Sequence, residues 1–134
     1  VESFSLGFFG APKNNNYRKT LMIITTSKIK IPHKIRQLIK KNDFGMFILS
    51  TRQFNFLLRK WGHEKEVIGL AMLDEGLIFI NGGRLEKEQF SQGQINAILL
   101  HEISHILLNS RSETKVDNYV ERLARKCRID IEDV

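Results

Sequence analysis

Cysteine is almost missing from this chain: Cys127 stands alone, so no disulfide can form within it, and the single thiol fits a reducing compartment. We read Cys127 as a partly buried side chain without a chemical role. Long apolar runs are missing as well. The longest, such as 67–73 and 97–100, fall well short of the roughly 18 residues needed to span a bilayer. No membrane association is expected. The first ten residues lack the basic region and continuous apolar core of a secretory signal, which leads us to expect a cytoplasmic protein. There is no internal repeat, low-complexity tract or linker to divide the chain. Acidic residues are in the minority, 15 against 21 Lys and Arg, for a net charge of +6. Such a balance can signal nucleic-acid contact, but Lys-, Asn- and Ile-rich chains are often basic without it, and direct nucleic-acid binding is not expected.

What is present is ordinary globular composition. With 42% hydrophobic and 27% charged residues in 134, the chain can bury one core and is too short for two. Residues 1–20, with Gly7, Gly10, Pro12 and Asn14-Asn15-Asn16, read as an irregular arm, leaving 21–134 as a single domain. The β-branched run at 21–26 reads as a strand or the end of a helix. After Pro32, Ile35, Leu38 and Ile39 mark the apolar stripe of a short helix whose outer face carries Lys34, Arg36, Lys40 and Lys41. Residues 44–49 read as a buried strand, and Thr51 as the cap of a helix over 51–61 that Gly62 stops, with Phe54, Leu57, Leu58 and Trp61 turned inward as core. Runs at 67–72 and 77–80, joined by a turn with Asp74 and Gly76, predict an antiparallel hairpin. A long, largely apolar helix is expected over 86–109. Ser112 caps a last helix over 113–126, with Val116, Val120, Leu123 and Ala124 facing in. The expected fold is α+β: a small, mostly antiparallel sheet beside a central helix and the C-terminal helix that follows.

The chemistry concentrates in His101-Glu102-Ile103-Ser104-His105. Helical residues four apart stand above one another, so His101 and His105 present their imidazoles to one side as a two-nitrogen clamp for a cation. Glu102, turned about 100° around the helix, can reach the edge of that site without ligating, where a general base is needed. Two neutral imidazoles suit Zn2+, and a catalytic zinc keeps one position open for water. Against this stands a buried helix whose histidines and glutamate are merely satisfied by hydrogen bonds; the apolar surroundings make that costly. A third protein ligand is still required. Glu113, Asp117 and Glu121, four apart on the last helix, are the carboxylates at hand. Glu113 is placed to fold back beside His105, and Asp117 to accept from a histidine N–H, although these two roles could be reversed. His33 and His63 have no partner at ligand spacing and read as surface residues.

These motifs resemble the ImmA/IrrE family of bacterial and phage metallopeptidases over about residues 32–124. The resemblance rests on Gly69-Leu70-Ala71 and Leu77-Ile78-Phe79-Ile80-Asn81 as a strand pair. It continues in Ala97-Ile98-Leu99-Leu100-His101-Glu102-Ile103-Ser104-His105-Ile106-Leu107-Leu108, then in Glu113-Thr114-Lys115-Val116-Asp117-Asn118-Tyr119-Val120. It implies a zincin-like fold, zinc held by His101, His105 and Glu113, Glu102 as catalytic acid and base, and Asp117 in support. It further implies an endopeptidase cutting a protein substrate, a helix-turn-helix transcriptional repressor, in the manner of an anti-repressor. The competing expectation is a catalytically silent module that recognises a repressor or nucleic acid through its basic face.

Overall fold

A computed structural model describes residues 22–25, 28–62 and 67–134. The expected arm at 1–20 and His63 lie outside them. Four strands and five helices follow in order: β1 (Met22–Thr25), α1 (His33–Lys41), β2 (Gly45–Leu49), α2 (Thr51–Lys60), β3 (Gly69–Met72), β4 (Leu77–Asn81), α3 (Gly82–Lys87), α4 (Gln92–Leu108) and α5 (Glu113–Cys127). The sheet order is β1-β2-β4-β3. This is a mixed α+β architecture, and no described helix is long and apolar enough to cross a membrane.

The expected hairpin forms: β3 pairs antiparallel with β4, Gly69 opposite Ile80 and Met72 opposite Leu77. The expectation of a mostly antiparallel sheet does not hold, because β1 with β2 and β2 with β4 are parallel pairs. The reason lies in the connections. Parallel neighbours need a crossover, and α1 and α2 supply the two crossovers, so the alternation strand–helix–strand–helix was the relevant signal. Burial agrees with that topology. In β2, Met46 and Ile48 join a core with Ile78 and Ile80 under α1, α4 and α5, while Phe47 and Leu49 join Phe79, Phe54 and Leu58 under α2. A strand covered on both faces shows no polar alternation.

Two helix boundaries also differ from expectation. Ser50, not Thr51, caps α2: its side chain accepts from the Gln53 N–H in a capping box, while the Thr51 hydroxyl donates to Asn81 Oδ1 at 3.0 Å. The helix expected over 86–109 is two helices. Gln89 sits at φ 54° and Ser91 starts α4 with a second capping box to Gln94. The second break matters for the site, since it fixes where α4 begins and therefore which face His101 and His105 present. Around α4, Leu99, Leu100 and Ile103 are fully buried, and α5 packs alongside through Val116, Val120, Leu123 and Ala124, the four residues expected to face inward.

Candidate metal centre

The last turn of α4 and the first turn of α5 meet because Asn109 takes a left-handed conformation, φ 46° and ψ 48°, which ends α4 and turns the chain back. Three residues later Ser112 caps α5 by accepting from the Lys115 N–H, and Glu113 opens that helix, where its negative charge complements the helix dipole. The eight-residue step from His105 to Glu113 is thereby folded into contact.

Three side chains converge there. His101 Nε2 lies 3.2 Å from His105 Nε2. Glu113 bridges the pair, Oε2 at 3.0 Å from His101 Nε2 and Oε1 at 3.2 Å from His105 Nε2. The other ring nitrogens are engaged behind. His105 Nδ1 stands 2.8 Å from the Ser110 carbonyl, which can only accept, so Nδ1 donates there and a neutral ring would leave Nε2 free to ligate. His101 Nδ1 faces Asp117 Oδ1 at 3.4 Å. Two ring nitrogens and a carboxylate thus aim at one point, a donor set that could hold a cation. Ligands at about 2.05 Å from a tetrahedral zinc stand about 3.3 Å from one another, close to the three separations found. The groups His101, Glu102, His105 and His101, Glu113, Asp117 could each hold a metal ion by the proximity of their donor atoms.

Glu102 is only 7% exposed. It offers an oxygen within 4.8 Å of the donor atoms of both histidines. Burial, helped by the nearby Glu113 carboxylate, pushes its pKa up to about 8. Gly69 makes room for it: a Cβ there would stand 3.1 Å from Glu102 Cγ and 3.1 Å from Ile80 Cδ1. This explains a glycine in a strand without invoking backbone freedom.

All of these groups open on a cleft of about 690 Å³ lined by α4, β3, α5 and the segment 131–134. Among the described residues β3 is an edge strand, paired only with β4. Of the residues expected at the site, the structure brings together His101, Glu102, His105, Glu113 and Asp117. Glu121, two turns further along α5, lines the cleft away from the cluster. His33 lies exposed on α1. The basic face of α1 is partly committed to structure, Lys34 Nζ donating to the Arg128 carbonyl at 2.9 Å and Arg36 Nε to that of Ile31 at 3.1 Å. Two contributors were missed from sequence: the Ser110 carbonyl, which a side-chain motif does not encode, and the wall at 131–134, whose signal was the apolar alternation Ile129, Ile131 after α5. Compared with protein-family models, curated proteins and solved structures, the chain matches none, so its site is read on its own geometry.

Proposed function

We propose that this chain is a zinc-dependent endopeptidase, with His101, His105 and Glu113 as metal ligands, Asp117 orienting His101, and Glu102 as general base and acid. The observation that carries the reading is the near-tetrahedral spacing of three donors, 3.0, 3.2 and 3.2 Å, with the buried Glu102 beside them. Zinc, when bound, supplies a Lewis acid for a scissile carbonyl and brings the pKa of adjacent water toward about 7.

The chain's own residues do the rest. The Ser110 carbonyl and Asp117 hold the two imidazoles in the tautomer that leaves Nε2 free. Glu102 takes the proton of the attacking water and delivers it to the leaving amine, completing hydrolysis of the peptide bond. The edge strand β3 favours a polypeptide substrate, because an extended segment can add to its unpaired side while its scissile bond lies over His101. The resemblance noted from sequence extends this proposal to a helix-turn-helix repressor as the protein cut, in the cytoplasm.

The test joins metal content with activity. Purified protein is expected to hold about one zinc per chain, lost in His105→Ala and Glu113→Ala, while Glu102→Gln keeps zinc and loses cleavage. Cleavage retained in Glu102→Gln would remove the base; a wild-type chain that takes up no divalent metal would remove the centre.

A further inference from the structure

The charges of this protein are sorted by location. The chain carries 15 acidic and 21 basic side chains, yet six carboxylates and a single arginine, Arg111, line the cleft among the described residues. The metal centre accounts for Glu102, Glu113 and Asp117. Glu121, Glu132 and Asp133 are left over, and a net-positive chain has placed all three on the lining of this cleft.

That lining is built. Residues 129–134 are tied to α4: the Glu132 N–H donates to the Gly93 carbonyl at 3.1 Å, Gln94 Nε2 donates to the Asp133 carbonyl at 3.0 Å, and Asn96 Nδ2 donates to the Asp130 carbonyl at 2.9 Å. Gly93 allows the approach, since a Cβ there would fall 2.6 Å from Glu132 Cγ. Glu132 itself accepts from the Ser91 hydroxyl at 3.0 Å. The carboxylates of Glu121 and Asp133 have no hydrogen-bond or ion-pair partner among the described residues and face the cleft. Along α5, Glu113, Asp117 and Glu121 rise about 6 Å per step of four residues, close to the roughly 6.6 Å between alternate side chains of an extended peptide. Glu102, over nine-tenths buried and without a hydrogen bond among the described residues, faces the same cleft and marks it as a seat for a ligand.

We infer that the cleft takes a cationic polypeptide segment, in extended form between β3 and the acidic wall, with Lys or Arg side chains directed to Glu121 and Asp133. This names the substrate class of the proposed peptidase and rests on that reading for the cleft being where substrate lies. An anionic segment would meet the unpaired carboxylates of Glu121 and Asp133, so these two select by repulsion as well as attraction.

The test uses zinc-loaded Glu102→Gln protein and three fluorescent peptides of one length, differing only in Lys, Gln or Glu at alternate positions, with wild-type cleavage of the same three measured in parallel. Exposed charge pairs are individually weak, so the Lys peptide should bind about 10-fold tighter than the Glu peptide at low salt, with Gln between. The preference should shrink about 3-fold or more in Glu121→Lys/Asp133→Lys and in 0.5 M salt. Glu121→Gln/Asp133→Asn, a smaller change, should show the same direction, and unchanged zinc content verifies that the centre is intact. Equal binding of the three peptides, binding of none, or a preference untouched by both double variants overturns the inference. Charge-selective binding without cleavage of any peptide would leave the inference standing and overturn the peptidase reading; cleavage without charge selection would do the reverse.

Discussion

At Glu102, burial and the proposed role pull in opposite directions in the metal-free protein, because a carboxyl held neutral cannot take a proton from water. The side chain is forced toward its neutral form by loss of water, with Glu113 adding repulsion, and its pKa rises to about 8. In the metal-free protein the folded state therefore binds a proton that the unfolded state gives up near the ordinary glutamate value of 4.5. Stability from this group is complete below that value and is lost as pH climbs toward 8. The metal-free chain should accordingly show a melting temperature that falls between about pH 5 and pH 8, and Glu102→Gln, which cannot ionise, should flatten that fall. Thermal melts in chelator at several pH values decide it; parallel slopes for the two proteins would show that Glu102 is not the titrating group. Zinc should weaken the effect in the wild type, because a cation beside the carboxylate favours its charged form. At the same scale, Gly69→Ala should lower activity more than stability. Its Cβ meets Glu102 Cγ and Ile80 Cδ1 at 3.1 Å, so each neighbour must shift by a few tenths of an ångström, and only the first shift moves the proposed base.

The elements show what could be read ahead of the structure and why the rest could not. Helices α1, α2 and α5 were legible from apolar stripes at helical spacing, and the β3–β4 hairpin from its turn residues, because those patterns are local. Sheet order was not, since β2 pairs with β4 across the whole hairpin and strands covered on both faces carry no alternation to orient them. The break before α4 was present as Ser91 and Gln94, but an apolar pattern running across 86–109 obscured it. The histidine clamp follows from spacing within one helix. The meeting of Glu113 with it depends on Asn109 at positive φ and on the Ser110 carbonyl, which spacing does not encode. The Ser91 cap carries its own expected cost. It serves the Gln94 N–H and also donates to Glu132, so Ser91→Ala should remove about 1 kcal/mol of stability, about 3 °C in melting temperature for a chain of this size. It should also loosen the segment at 129–134. Hydrogen exchange would show this as faster exchange at the Glu132 amide, and an unchanged rate there would mean the segment is held by its backbone contacts alone.

Across the described residues, the sheet divides the core in two and the candidate metal centre lies outside both halves, at the seam between α4 and α5 beside the edge strand. Four side chains of α5, Val116, Val120, Leu123 and Ala124, are buried against the larger core. The larger aliphatic ones contribute about 1.5–3 kcal/mol each on burial, enough to keep α5 docked without a metal. Removing zinc should then leave the protein folded but less stable, not unfolded as in small domains whose core is the metal site. Binding to the native state alone raises stability by about 1.4 kcal/mol for each tenfold excess of free zinc over its dissociation constant, so melting temperature should climb with the logarithm of free zinc. The climb should vanish in His105→Ala, which lacks a ligand nitrogen. Protection should change unevenly, with amides of the first turn of α5 and the 109–112 turn exchanging faster in chelator while those of β2 and β4 stay as they are. Uniform loss of protection would place the metal in the core's stability, and no change anywhere would mean that zinc does not join α4 to α5.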